Sequence, residues 1–258
     1  MNTQMDEKSR TDREYRHLVH SLLTPIQVRV QETDLCVYAD GLTVDEIKEE
    51  VIRQRGYIEG YILRFPQFAQ TLEPWPEDPL APPIVQDMIL AGHRAGVGPM
   101  AAVAGAVAEH VGRYLLGTTD QIIIENGGDI FVYAHDPLTV AVYAGRSPLS
   151  LTIGLEVDPA ERPTAVCTSS GTVGHSLSRG LADAVCVLSG SCALADAVAT
   201  AIGNRVRHRA DIQSAIGWGR KIGGVDGILV IIDDSMGMWG TIRLKPLRQR
   251  RLEKKVEF

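Results

Sequence analysis

The chain has 258 residues, 45% of them hydrophobic but only 5% aromatic, and a net charge of −6. That much apolar material can bury one large core, built on Val, Ile, Leu and Ala rather than on rings. The acidic balance disfavours a nucleic-acid partner, which needs a basic face, and no apolar run reaches the roughly 18 residues of a membrane span.

Residues 1–13 read as a flexible, hydrophilic lead-in. The start, MNTQMDEKSRTDREYR, has no apolar leader, so the expected location is cytoplasmic. Segments 14–22, 26–32 and 34–39 alternate polar and apolar residues and predict strands of an antiparallel meander. Thr43 then opens a helix to about residue 64, with Glu46 three positions on as in a capping box. The stretch 66–83 carries Pro66, Pro74, Pro76, Pro79, Pro82 and Pro83 and reads as an irregular connector. Helices follow over 83–95 and 98–117. The second, GPMAAVAGAVAEHVGRYLLG, has so little side-chain bulk that it is expected in the middle of the fold.

QIIIEN and GGDIFVYA predict a hairpin, followed by strands at TVAVYAG and 149–156. CTSSGTVGHSLSRG, residues 167–180, reads as a loop. Residues 182–189 predict a strand, 192–204 a helix stopped by Gly-Asn, and 208–217 a further helix. GILVIID and MWGTIRL form a closing strand pair, and residues 243–258 make a basic, solvated tail. The expected class is α+β with mainly antiparallel sheets and helices on one face, in one domain over 14–242. Cys36, Cys167, Cys186 and Cys192 show neither CxxC nor zinc spacing and are expected as reduced, buried thiols.

Three segments could carry chemistry. In Asn126–Gly127–Gly128–Asp129, Asn-Gly is a hairpin signal, yet two residues without Cβ also let a ligand lie on the main chain. In ALADAVATAIGN, Asp196 and Thr200 stack on one helix face. Together they offer two oxygens to a hard cation such as Mg²⁺; alternatively, Asp196 complements the helix dipole and Thr200 bonds back to a carbonyl. In the hydroxyl-rich loop, Thr168, Ser169, Ser170, Gly171 and Thr172 surround a phosphate or ribose, with His175 as proton-transfer group, or they satisfy only their own backbone.

With GPMAAVAGAVAE, ENGGDI, CTSSGTVGHS and ADAVATAIGN in this order, the chain resembles the ApbE-like superfamily of flavin transferases, which move FMN from FAD onto a protein threonine. It is more closely similar to the UPF0280 (DUF375) family. The resemblance implies two related T-fold-like halves with the ligand between them. It also implies a flavin or nucleotide ligand such as FAD near Gly127, Gly128, Asp129, Thr168, Ser170 and Gly171, and Mg²⁺ on Asp196 and Thr200. Two departures stand out: no Asp-Pro follows His175, and Glu109 occupies the place of a transferase lysine. The reactions implied are flavin transfer or dinucleotide pyrophosphate cleavage. A non-catalytic small-molecule-binding or assembly protein is the alternative. The expected partner is a small molecule, with a homo-oligomer as one expected assembly.

Overall fold

The computed structural model describes residues 23–159, 162–171 and 180–247. The calls on 1–22, on Thr172 and His175, and on the end of the tail lie outside them. Eleven strands and five α-helices occur among the described residues. Eight strands form one sheet, in the order β1 (Pro25–Val30), β2 (Thr33–Tyr38), β3 (Ile122–Asn126), β4 (Asp129–Tyr133), β7 (Thr164–Ser169), β8 (Ala184–Ser189), β9 (Val225–Ile232) and β10 (Ser235–Gly240). Every neighbouring pair is antiparallel. The smaller sheet has the order β11 (Leu244–Pro246), β6 (Ile153–Val157), β5 (Leu138–Ala141).

The helices α1 (Val44–Arg64), α2 (Pro83–Ala95), α3 (Val103–Leu115), α4 (Cys192–Gly203) and α5 (Ile212–Gly219) cover one face of the large sheet. The small sheet covers the other. Strand periodicity sorts the side chains between these layers. In β7, Ala165 and Cys167 join the helix-side core, while Val166 joins the core against the small sheet. The element order strand–strand–helices–strand–strand occurs twice, once around β1–β4 and again around β7–β10. The α+β class, the antiparallel pairing and the one-sided helix layer therefore agree with the sequence.

Local rules account for most boundaries. The Thr43 backbone N–H donates to Glu46 Oε2 at 2.8 Å, and the Glu46 N–H donates to Thr43 Oγ1 at 3.3 Å, completing the capping box of α1. Gly96 closes α2 at φ +64°. The expected 98–117 helix splits into a 3-10 turn, Pro99–Ala102, and α3. Gly98 runs against the Thr71 backbone there, and Pro99 donates no N–H.

Helix α3 is central, as its composition suggested. Gly105 and Gly112 lie two turns apart on the same face. A Cβ on Gly105 would strike the Cys192 carbonyl of α4, and one on Gly112 would strike the Phe131 ring of β4. Strand β7 has no counterpart in the sequence reading, and β8 begins at Ala184 rather than at residue 182. Cys167, Thr168 and Ser169 belong to β7, the last two paired with Cys186 and Val185 of β8, so the reading of 167–169 as loop is corrected.

The close approach of α3 is testable. Gly112→Ala places a methyl in the Phe131 ring and is expected to cost about 1–3 kcal/mol. Gly56→Ala, within α1 where added Cβ meets nothing within 4 Å, is expected to stabilise by about 1 kcal/mol. Urea unfolding of the two variants checks the contrast.

Candidate functional site

The turns β3–β4 and β9–β10 and the end of β7 lie at one end of the large sheet. The first turn carries the glycines. Gly127 and Gly128 stand at φ +66° and +111°, conformations that an L side chain rarely adopts. Asn126 pairs with Asp129 across the turn. The Gly128 N–H donates to Glu125 Oε1 at 3.0 Å, closing the turn from within. Asn126 Nδ2 donates to the Ala104 carbonyl at 2.9 Å, tying the turn to the residue before Gly105.

Asp196 approaches from the first turns of α4. Its Oδ2 accepts the Gly105 N–H at 3.0 Å, a contact that exists because Gly105 lets the two helices meet. Burial pushes the Asp196 carboxyl up to about 7, against the opposing hydrogen bonds from Gly105 and Ala104. Asp129 is buried on the same face. Its carboxyl is held well above the usual carboxylate range, first by burial, then by the charge of Asp196. Cys167, its register partner on β7, opposes that rise by hydrogen bonding. Asp129 Oδ1 has no hydrogen-bond partner among the described residues, and neither does Ser169 Oγ, which is also buried.

The structure therefore brings Asn126, Gly127, Gly128, Asp129, Ser169 and Asp196 to one end of the helix-side core. Thr200 lies one turn beyond Asp196 on the same helix and is half-buried. Thr168 points the other way, its Oγ1 3.4 Å from Cys186 Sγ, because neighbouring residues of a strand face opposite sides. The Gly171 N–H donates to the Ala182 carbonyl at 3.0 Å. A Cβ on Gly171 would strike the Gly180 carbonyl, and one on Gly180 that of Gly203 at the end of α4, so both flanks of 172–179 sit against this corner.

Two participants escaped sequence reading. Cys167 meets Asp129 only through the β4–β7 register, which requires knowing that β7 is a strand. Gly105 was visible only as one of several small residues. Glu109 has a defined structural role. Its Oε2 accepts the Cys192 N–H at 2.7 Å and the Ser191 hydroxyl at 3.1 Å, while Oε1 accepts from Arg113 at 2.8 and 2.9 Å. A carboxylate there caps the positive end of α4.

Asp129, Asp196 and Thr200 offer hard oxygen donors, and the orphaned Oδ1 of Asp129 is a group that a cation or a donor ligand would satisfy. Among the described residues no cluster of three or more His, Cys, Asp or Glu side chains is placed to hold a metal by itself. A cation here would therefore rely on hydroxyl, main-chain or ligand oxygens as well. Two open depressions lie elsewhere, about 320 Å³ beside Arg146, Asp183 and Asp233, and about 330 Å³ beside Arg94, Glu109 and Arg113.

The carboxylate pair predicts a pH signature. An acid with a raised folded-state pKa stabilises the fold least where it is ionised. Without divalent cations, the contribution of Asp196 is full below about pH 4 and is lost as pH rises through about 7. Asp196→Asn should match wild type near pH 4 and exceed its stability at pH 8 by roughly 2–4 kcal/mol. Denaturant unfolding in a chelator at both pH values measures this.

Comparison with known proteins agrees with this architecture. A family model described as "AbpE bacteria" matches residues 16–226. The UPF0280 protein of Methanocella arvoryzae is 40% identical over 215 residues, covering 83% of this chain and 87% of the relative. That of Methanosarcina acetivorans is 40% identical over 217 residues, covering 83% and 85%. Among solved structures, the flavin transferase ApbE from Vibrio cholerae superposes with a TM-score of 0.54 at 15% identity, covering 84% of this chain and 96% of that one. The apo flavinyl transferase ApbE of Pseudomonas stutzeri gives 0.56 at 14% identity, covering 85% and 94%. At such identities the likeness concerns the fold. The chain belongs to the UPF0280 family and carries the ApbE-like fold.

Proposed function

We propose that the protein binds a phosphate-bearing ligand of the flavin or nucleotide type, together with Mg²⁺, at the Gly127–Gly128 end of the large sheet. The observation that carries this reading is the neighbouring pair of buried Asp129 and half-buried Asp196, the former with an oxygen left without a partner, beneath a turn that lacks Cβ atoms. Two neighbouring acids with raised pKa values favour a cation in place of their protons. Asp196 and Thr200 would hold Mg²⁺, with Asp129 beside them. A bound cation would neutralise charge that develops on a phosphoryl group.

The remaining roles follow from the chain itself. The main chain at Gly127 and Gly128 gives a flat platform, and Asn126 keeps that platform fixed to α3. Ser169, Ser170 and Thr172 supply hydroxyl groups to phosphate or ribose oxygens, Gly171 keeps the main chain between them free of a side chain, and Thr168 stands at the start of the segment. His175 serves as the proton-transfer group. The reaction is flavin transfer from FAD or cleavage of a dinucleotide pyrophosphate.

A second reading is specifically favoured by Glu109. Its carboxylate is engaged as the cap of α4 rather than offered to a ligand. In that reading the pocket binds the same class of ligand without turning it over.

Incubation with FAD and Mg²⁺ separates the cases. The first reading predicts release of AMP, with FMN free in solution on pyrophosphate cleavage or bonded to an added threonine-containing acceptor on transfer, loss of at least about 100-fold in rate for His175→Ala, and no activity for Asp196→Ala. The second predicts a cation-dependent rise in melting temperature of about 5 °C or more at saturating FAD, with no turnover and no effect of His175→Ala. Neither turnover nor a cation-dependent shift across a dinucleotide panel contradicts both.

A further inference from the structure

Strand β10 ends the eight-stranded sheet, and among the described residues nothing pairs with its outer edge. Its sequence, SMGMWG, contains none of the usual guards against edge pairing: no proline, no charge and no bulge against β9. The opposite edge is different. Strand β1 begins with Pro25, which donates no N–H, and carries Arg29. The two edges of one sheet are thus treated oppositely by the sequence.

Side chains on β10 reinforce this. Met236 and Met238 pair with Ile231 and Leu229 of β9, so they share the sheet face that packs on the small sheet. Both are exposed, at 47% and 56%. Gly237, between them, turns to the helix side against Ile212 and Ile216 of α5. Charges bracket the strand. At its start, Arg209 pairs with Asp233 and Asp234. At its end, Arg162 pairs with Asp226, whose carbonyl accepts the Thr241 N–H.

We propose that a second copy of this chain docks antiparallel on the edge of β10, with the two-fold axis at Gly237, so that the sheet runs continuously through a dimer. The register follows from the alternation of strand faces. A two-fold axis perpendicular to the sheet preserves its faces, so a residue pairs across the axis only with one of the same parity. An axis at Gly237 sets Met236 of one chain opposite Met238 of the other, twice. Four flexible thioethers then close over one another on one face. The same axis sets the cluster of Asp233, Asp234 and Arg209 of each protomer, which carries one excess negative charge, at the end where its partner presents the exposed Arg162. A self-complementary patch of this kind gives a closed dimer rather than a fibre.

Sedimentation of the full chain at tens of micromolar, with parallel thermal unfolding, tests the assignment. Wild type is expected to be a two-chain species. Met238→Lys and Met236→Lys place an ammonium on the paired edge and should each weaken association at least tenfold. Both side chains are exposed in a single chain, so the melting temperature measured at a concentration where both forms are monomeric should be unchanged. A wild type that stays monomeric overturns the proposal. So does a dimer that both substitutions leave intact, whichever other surface holds it together.

Discussion

Two neighbouring carboxylates withdrawn from solvent, Asp129 on β4 and the half-buried Asp196 on α4, set the terms for the rest of this structure. Burial alone disfavours ionisation of either, and the charge of one raises the pKa of the other. A fold keeps such a pair only where neighbouring elements hold it in place. Here Gly105 supplies an N–H to Asp196 because it has no side chain to keep α3 and α4 apart. Cys167 stands opposite Asp129 because β4 and β7 are in register. The glycine turn above them is anchored by Asn126 to the carbonyl of Ala104.

The small residues of the sequence acquire a purpose from this. Gly105 and Gly112 let α3 lie against α4 and β4 at once, and Gly171 and Gly180 let the borders of 172–179 pass the end of α4. Close backbone approach replaces side-chain interlocking in this part of the molecule, which fits a chain with few aromatic residues. Glu109 belongs to the same arrangement. It neutralises the N-terminal end of α4, while Asp196 begins the next turn of that helix. A lysine in the same place would put two positive ends together, so the acidic residue follows from the local packing.

Much of this was legible in the sequence. The Thr43–Glu46 cap, the Asn-Gly turn, the Gly203–Asn204 stop and the alternation of β1 and β2 each reflect forces acting within a few residues. Asp196 stood out because a lone acid among alanines is costly unless something accepts its charge. What escaped depends on distant partners. Strand β7 is rich in small polar residues near its end, and only pairing with β4 and β8 makes Thr168 and Ser169 extended. That pairing also turns Thr168 and Ser169 to opposite faces, a division that a loop reading could not express. The short strand β11 likewise exists through its register with β6 rather than through any pattern of its own.

The central claim is that Asp129 and Asp196 hold their protons above the ordinary aspartate range, and the proposed function adds that a cation replaces those protons. Carbon-detected NMR titration of the aspartate carboxyl groups, with and without Mg²⁺, tests it most directly. The account predicts one carboxyl titrating near 7 in the cation-free protein, a second well above the ordinary aspartate range, and a fall of both when Mg²⁺ is added. Two carboxyls titrating near 4, unmoved by Mg²⁺, would contradict it.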